Sequence, residues 1–141
     1  MSGFSWRRKV SFVDCDPAKI AYTGRLVGIA IEAIEVFWES VLDGQSWYAL
    51  QEEHGLGMPF VRLESSFQSP VTPMAPLDCV VTPVRLGTSS VALRVSARQQ
   101  DRHCYELHSV SSFVSIRDLK AIAIPDWIRA ALVRHYPALN A

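Results

Sequence analysis

Residues 23–44, TGRLVGIAIEAIEVFWESVLDG, indicate how this chain folds. Thr23 is a residue type that caps helix amino termini, and Gly44 is typical of the position just beyond a helix carboxyl terminus. The charged side chains between them fall near one narrow stripe at helical spacing, and the other positions are apolar or small. The stretch therefore predicts a long helix that other elements must cover on most of its sides.

Strand-like segments lie on both sides of this helix. The first covers residues 6–13, WRRKVSFV, and those after the helix cover residues 59–68, 77–86, 91–98 and 103–116. Consecutive strands joined by short turns pair in antiparallel fashion, and a sheet that curls around the long helix would cover it. We therefore expect an α+β fold, a curved antiparallel sheet wrapped around a long central helix, in one domain spanning residues 1–141. Pro125 is expected to open a terminal helix.

The composition is that of a globular protein without a strong overall charge. Of 141 residues, 49% are hydrophobic and 20% are charged, and fourteen basic residues balance fourteen acidic ones. A formal net charge of zero gives no general attraction for nucleic acid. The most apolar segment, residues 26–42, contains three glutamates, and the cost of placing these charges in lipid excludes a membrane span.

The cysteines indicate a reducing compartment. Cys15, Cys79 and Cys104 are an odd number without a CxxC pair, which argues against a disulfide framework. The basic residues near the amino terminus are followed by an apolar run that acidic residues interrupt, so we expect no signal peptide. The expected protein is cytoplasmic, has no cofactor, and has neither nucleic acid nor membrane as a partner.

Two carboxylates lie at the junction between the first strand and the long helix, in VSFVDCDPAKIAYTG at residues 10–24. Asp16 precedes Pro17, so its backbone is extended or turning rather than helical. A helix that begins shortly afterwards has free N–H groups and a partial positive charge in its first turn. An acyl carbonyl bound there would find donors for a developing oxyanion, and a carboxylate as base or nucleophile. From the residues alone, the commoner alternative, that Asp14 and Asp16 only hydrogen-bond the loop backbone, stays open.

Other candidate sites are weaker. His103, Cys104, Glu106 and His108 include metal-ligating types, but His103 and His108 are expected to face opposite sides of a strand, and their spacing matches no ligand pattern. We therefore expect no metal. Cys15 could act as a nucleophile, but isolated cysteines are usually small buried apolar residues. The motifs of serine hydrolases and phosphate-binding loops do not occur in the sequence.

The stretch DCDPAKIAY at residues 14–22, followed by the apolar helix and by MPFVRLESSFQSPVTPMAPLD at residues 58–78, resembles the 4-hydroxybenzoyl-CoA thioesterase family of hotdog-fold proteins. The family pattern around the catalytic aspartate, D-x-D-P-x-G-I, places that aspartate at Asp16 and has Lys19 where relatives carry glycine. The resemblance covers nearly the whole chain in element order. It implies the hotdog fold, a homo-oligomer (a dimer or a dimer of dimers), and active sites at the interface between protomers.

The resemblance also implies roles for individual residues. Asp16 attacks the thioester carbonyl or activates water, and the backbone N–H of Thr23 polarises that carbonyl. Lys120 resembles a basic position that meets the phosphates of coenzyme A, although the turn at residues 87–90 lacks basic residues that some relatives carry. The implied substrate-binding residues are Tyr22, Thr23, Trp47, Met58, Pro59, Phe60 and Lys120.

The expected function is that of an acyl-CoA thioesterase, which hydrolyses an aromatic or short-chain acyl-CoA to the free acid and coenzyme A. Two alternatives stay open: a thioesterase for acyl-carrier-protein substrates, and a non-catalytic hotdog protein that binds acyl thioesters. Lys19, three residues after Asp16, could neutralise that carboxylate and so favour the non-catalytic alternative. An enoyl thioester hydratase is disfavoured, because such enzymes pair a histidine with an aspartate and no histidine precedes His54.

Overall fold

The computed structural model describes residues 3–140 and contains seven strands and three α-helices within them. In chain order the elements are β1 (Phe4–Arg8), a 3₁₀ turn (Phe12–Asp14), α1 (Thr23–Val41), α2 (Trp47–His54), β2 (Leu56–Gly57), β3 (Phe60–Phe67), β4 (Leu77–Leu86), β5 (Ser90–Gln99), β6 (Arg102–Ser112), β7 (Val114–Ser115), α3 (Asp126–His135) and a second 3₁₀ turn (Pro137–Asn140).

Five of the strands form one antiparallel sheet in the order β1-β4-β5-β6-β3, and β2 pairs with β7 in a second, two-stranded sheet. The short turns β4–β5 and β5–β6 impose the antiparallel pairing of the middle strands. β1 and β3 are the two edges of the large sheet. The predicted α+β architecture, an antiparallel sheet curved around one long helix, is confirmed.

Helix α1 lies in the core, as its sequence predicts. Ile29, Ala30, Ala33, Phe37 and Val41 are fully buried along it. Small residues at two of these positions let the sheet approach the helix backbone closely. The hydroxyl of Tyr105 on β6 donates a hydrogen bond to the backbone carbonyl of Leu26 at 2.7 Å, which joins the sheet to the first turns of α1.

The first strand is shorter than the sequence predicts. Pairing with β4 covers only Phe4–Arg8, and the chain then turns at Phe12–Asp14. The carboxylate of Asp14 accepts a hydrogen bond from the backbone N–H of Ser11 at 2.8 Å. This bond closes the turn, so the strand predicted for residues 6–13 is wrong beyond Arg8.

The expectation that His103 and His108 face opposite sides of a strand is also wrong. His103 Nε2 lies 3.8 Å from Glu106, and His108 Nε2 lies 3.1 Å from the same carboxylate. The pairing of β5 with β6 shifts register near this point, and Cys104 and Tyr105 are both buried instead of alternating. Within residues 3–140, no group of three or more His, Cys, Asp or Glu side chains could hold a metal ion.

Candidate active site

The loop between β1 and α1 is folded back on itself before the helix begins. The backbone N–H of Tyr22 donates to the carbonyl of Asp14 at 3.2 Å, Cys15 and Ala21 form an isolated antiparallel bridge, and the N–H of Asp16 donates to the carbonyl of Ile20 at 3.0 Å. This short ladder places Asp16 directly across from Ile20, in the segment that leads into α1. The loop thus joins the segment that carries Asp16 to the residues that lead directly into the helix.

Asp16 keeps one carboxylate oxygen for other partners. Its Oδ1 accepts a hydrogen bond from the N–H of Ala18 at 2.8 Å, and its carbonyl accepts one from the N–H of Lys19 at 2.8 Å. In the described part of the chain its Oδ2 has no hydrogen-bond partner, and the residue is half-buried. One oxygen therefore orients the carboxylate, and the other is available to a water molecule or an acyl carbon.

Lys19 occupies a strained backbone conformation in this loop. Its φ is +68°, in the left-handed region that glycine adopts without steric cost and other residues adopt at a cost. This accounts for the glycine that the family pattern places here. The exposed ammonium of Lys19 makes no ion pair with Asp16 or with any other residue that the structure describes. Neutralisation of Asp16 by Lys19 therefore has no support in the geometry.

Replacing Lys19 by glycine should raise the free energy of unfolding by about 0.5–1 kcal/mol, because relief of the left-handed strain exceeds the extra freedom that glycine gives the unfolded chain. Chemical denaturation of both proteins measures the difference. Ala18→Gly is the matched control, since Ala18 lies in the same turn without a positive φ, and it should not stabilise the protein. Equal effects of the two substitutions would contradict this explanation.

Asp14 bonds the backbone of the turn through the Ser11 N–H, as expected of a turn residue, and it is also a buried ion-pairing residue. Its side chain is 0% exposed and contacts Arg8 Nη1 at 2.7 Å and Arg25 Nη2 at 2.6 Å. Burial by itself would raise the pKa of Asp14. The hydrogen bonds from Arg8, the Ser11 N–H and Arg25 outweigh burial and hold this pKa well below the usual range of an aspartate.

Arg8 and Arg25 are residues that the sequence interpretation missed. Arg8 also binds Glu32 on α1 at 2.9 Å, so it links β1, the loop and the helix. The sequence does carry one signal: Arg25 lies in the first turn of α1, where a cation opposes the helix dipole unless an acid compensates it. That signal indicates an acidic partner for Arg25, although it does not say which acid.

The amino terminus of α1 has unused hydrogen-bond donors. The N-cap position of the helix is occupied by Tyr22, and Thr23 is the first helical residue. The prediction that the Thr23 side chain caps the helix is therefore wrong. The backbone N–H groups of Arg25 and Leu26 donate to the carbonyl of Tyr22, whereas those of Thr23 and Gly24 have no acceptor among residues 3–140. Two adjacent donors are therefore free at this end of the helix.

The Tyr22 ring lies close to Gly24 at this end of the helix. A Cβ atom added to Gly24 would lie 2.9 Å from Cε2 of Tyr22, which is closer than side chains approach each other. Glycine at position 24 thus lets the aromatic ring lie against the helix amino terminus. Tyr22 itself is 46% exposed, so its outer face is open to a ligand.

A cavity of about 430 Å³ lies farther along α1, between α1, α2 and the segments around β2, β3 and β7. Its walls are mostly apolar, and Glu35 and Gln51 are the polar exceptions with long side chains. It is lined by Ile31, Ile34, Glu35, Trp38, Trp47, Leu50, Gln51, Leu56, Gly57, Met58, Pro59, Phe60, Ser111, Val114, Ile116 and Leu119. Such a pocket suits an apolar or aromatic group.

The structure brings together some of the predicted substrate-binding residues and separates others. Trp47, Met58, Pro59 and Phe60 all line the cavity, whereas Asp16, Tyr22, Thr23 and Lys120 do not. Lys120 directly follows Leu119, which is part of the wall. One protomer therefore presents two separate groups of predicted site residues.

A family model described as the thioesterase-like superfamily matches residues 10–132, a span that includes the Asp16 loop, α1 and the cavity. The chain belongs to the thioesterase-like superfamily. A solved thioesterase-superfamily protein from Jannaschia sp. CCS1 shares 41% sequence identity with it over 95% of this chain and 93% of that chain, with a TM-score of 0.90. No curated protein sequence matches the chain.

More distant solved members of this superfamily share the fold. A 1,4-dihydroxy-2-naphthoyl-CoA thioesterase from Synechocystis is 17% identical, with 92% of this chain and 95% of that chain covered and a TM-score of 0.82. A 4-hydroxybenzoyl-CoA thioesterase variant, complexed with 4-hydroxybenzoyl-CoA, is 18% identical over 93% and 99% of the two chains, with a TM-score of 0.84. The hotdog fold expected for this thioesterase-like chain is thereby confirmed.

Proposed function

We propose that this thioesterase-like protein is an acyl-CoA thioesterase whose catalytic carboxylate is Asp16. The observation that supports the proposal most directly is the hairpin that pairs Asp14–Asp16 with Ile20–Tyr22, the residues leading into the end of α1 where the N–H groups of Thr23 and Gly24 are free. A carboxylate and unused donors on adjoining segments are the groups that acyl transfer from a thioester uses. Two of the solved structures with this fold are named as thioesterases of aromatic acyl-CoA substrates, which adds support.

The proposed chemistry uses both parts of this arrangement. The thioester carbonyl oxygen accepts hydrogen bonds from Thr23 and Gly24, which stabilise the negative charge that develops on it. The carbonyl carbon is attacked either by Asp16, forming an anhydride that water then hydrolyses, or by water from which Asp16 takes a proton. In both routes the C–S bond breaks and one water molecule is consumed: its oxygen ends in the released acid or in the restored Asp16 carboxylate, and a proton passes to the thiolate to give coenzyme A.

The cavity is the proposed site for the acyl group. Trp38, Trp47 and Phe60 in its wall favour a flat aromatic group, since aromatic rings gain from packing against one another. A short aliphatic chain would also be accommodated by the apolar walls. Lys120, next to the cavity residue Leu119, is proposed to meet the phosphates of coenzyme A.

The protein is proposed to act as a homodimer or as a dimer of dimers. Edge strand β3 carries exposed apolar side chains at Val61, Leu63 and Phe67, and an unpaired strand edge of this kind favours association with another chain. Asp16 and the cavity belong to different parts of one protomer, so we propose that a second protomer completes the site. The second copy would bring its own helix end to the cavity.

A cytoplasmic location is proposed from the cysteines. Cys15, Cys79 and Cys104 are all free in the structure, and Cys79 and Cys104 are buried in the core. Free thiols persist in a reducing compartment. Among the described helices, none is long and apolar enough to cross a membrane.

Release of free thiol from a panel of acyl-CoA substrates tests the proposed activity. Benzoyl-CoA, 4-hydroxybenzoyl-CoA, acetyl-CoA and hexanoyl-CoA should all be hydrolysed, the aromatic substrates with the highest kcat/KM. Binding of these substrates by a folded protein without turnover would instead favour the non-catalytic alternative. Preference for acyl-pantetheinyl carrier proteins over every acyl-CoA would favour the carrier-protein alternative.

Replacing Trp47 by leucine should raise KM for benzoyl-CoA by up to about tenfold and leave KM for acetyl-CoA nearly unchanged, because an aromatic contact contributes about 0.5–1.5 kcal/mol beyond burial. Trp127→Leu is the matched control, since Trp127 is also partly exposed but lies outside the cavity. Equal effects on the two substrates would contradict the assignment of this cavity to the acyl group.

A further inference from the structure

The ion-paired cluster around Asp14 is not used by the chemistry described above, yet it includes the start of the loop that carries Asp16. Arg8 comes from β1, Asp14 from the loop, and Arg25 and Glu32 from α1. We propose that Asp14 and Arg25 are positioning residues that fix the Asp16 carboxylate relative to the free N–H groups of Thr23 and Gly24. The kinetic part of this inference rests on the proposed thioesterase function, and the structural part does not.

The side chain of Asp14 contacts both the first turn of α1 and the start of the loop that carries Asp16. Its Oδ1 accepts hydrogen bonds from Arg25 Nε at 3.0 Å and Nη2 at 2.6 Å, in the first turn of α1. Its Oδ2 accepts from Arg8 Nη1 at 2.7 Å and from the Ser11 N–H at 2.8 Å. Asp14 therefore attaches the start of the loop directly to the helix end where the free donors lie.

The backbone of Asp14 also connects the start of the loop to the helix end. Its carbonyl accepts the N–H of Tyr22, the residue that immediately precedes the helix, at 3.2 Å. Asp16 lies two residues beyond Asp14 in the same ladder, where its N–H binds the carbonyl of Ile20. A displacement of Asp14 from the helix end would therefore move Asp16 relative to Thr23.

The cluster orders the loop without adding net charge. Two arginines and two carboxylates, Asp14 and Glu32, sum to zero, so the cluster adds no net charge near this end of the helix. Replacement of a buried ion pair by apolar residues is often neutral or stabilising, so stability alone is a weak reason for such a cluster. Precise placement is a different property, because a misplacement of about 1 Å can cost about a hundredfold in rate.

Arg25→Gln is the variant that tests the inference. Arg25 is 35% exposed, and Arg8 still neutralises Asp14 in its absence, so the fold should persist. With the best substrate of the acyl-CoA panel, kcat should fall about tenfold to a hundredfold while KM changes less than about threefold. Arg25→Lys, which keeps the charge but not the paired hydrogen bonds, should recover part of the lost kcat.

Arg7→Gln is the matched control. Arg7, which lies on β1, also pairs with an aspartate, with Nε 2.7 Å from Asp78 on β4, but this pair is exposed and does not touch the Asp16 loop. Its loss should leave kcat unchanged.

In an Asp16→Asn background, Arg25→Gln should have no further effect on the residual rate, because the effect of Arg25 on the rate passes through Asp16. An undiminished tenfold loss in that background would overturn the inference.

Amide hydrogen exchange tests the structural part without any substrate. In Arg25→Gln the N–H groups of Asp16, Ala18 and Lys19 should exchange at least about tenfold faster, because their hydrogen bonds hold the loop, while core amides of β5 stay protected. Arg7→Gln should leave all of them unchanged. Unaltered protection of the loop amides in Arg25→Gln would overturn the inference even if kcat fell.

The kinetic measurements and the hydrogen-exchange measurements together separate this inference from the proposed function. If the wild-type protein hydrolyses no acyl-CoA, or if Asp16→Asn retains full activity, the proposed function fails, and hydrogen exchange still decides whether Arg25 fixes the loop. If the wild type is active and depends on Asp16, but Arg25→Gln has normal kcat and normal loop exchange, the positioning role fails and the proposed function stands.

Discussion

Replacing Asp16 by asparagine should lower kcat for acyl-CoA hydrolysis by about 10²–10⁴-fold, the range that a positioned general base contributes. Asparagine has the same shape, and its carbonyl oxygen can accept the hydrogen bond that Ala18 N–H donates to Asp16. The loop should therefore keep its conformation, and only the carboxylate chemistry is removed. Steady-state release of coenzyme A, measured beside the thermal unfolding of both proteins, gives the comparison.

Asp101→Asn serves as the control for this substitution. Asp101 lies in the exposed turn between β5 and β6, far in sequence from the Asp16 loop and outside the cavity, and the same change there should leave kcat unaltered. An Asp16→Asn protein that is folded and hydrolyses acyl-CoA at the wild-type rate would refute the assignment of Asp16. The free N–H groups of Thr23 and Gly24 would then need a different catalytic partner.

The wild-type kinetics also separate the two roles of Asp16. If the carboxylate attacks the acyl carbon and the anhydride breaks down slowly, the first turnover should release coenzyme A in a burst equal to the concentration of sites. If Asp16 instead takes a proton from water, coenzyme A and the acid appear together without a burst. Quenched-flow measurement of both products distinguishes the two courses.

The fold was predictable from the sequence because its largest signals are local. The stretch that forms α1 has a helical pattern along its whole length, and the turns between β4, β5 and β6 leave only antiparallel pairing. The errors lie where a single side chain overrides a pattern. Asp14 bonds the Ser11 N–H and turns the chain at a point where the β-favouring residues of the stretch 10–13 predict a strand.

The candidate site was predictable only in pieces. Asp16 stood out through the family pattern, and the same pattern pointed to Lys19, whose positive φ explains the missing glycine. The ion pairs of Asp14 join residues six and eleven positions away, and nothing in those spacings indicates contact. The cavity depends on tertiary packing as well, because its walls come from two helices and four strands that only the complete fold brings together.

Replacing Asp14 by asparagine should lower the free energy of unfolding at neutral pH by about 3 kcal/mol. Removing one partner of a buried ion pair costs about 3–5 kcal/mol, and the lower end applies here because Arg25 is 35% exposed and can turn towards water. Arg8 is 16% exposed and would keep only Glu32 as an ion-pair partner. Asp78→Asn is the control, since it breaks an exposed pair with Arg7 and should have little effect.

The dependence of stability on pH identifies the carboxylate as the cause. The pKa of Asp14 in the folded protein is held well below its value in the unfolded chain, which is about 4. The unfolded state therefore binds a proton first as the pH falls, so the stabilisation from Asp14 is complete above that value and is lost progressively below it. Urea unfolding at pH 7, 5, 4 and 3 should show the advantage of the wild type over Asp14→Asn shrinking between pH 5 and 3. A constant difference between wild type and Asp14→Asn across this range would mean that Asp14 is not held as an ion-paired carboxylate.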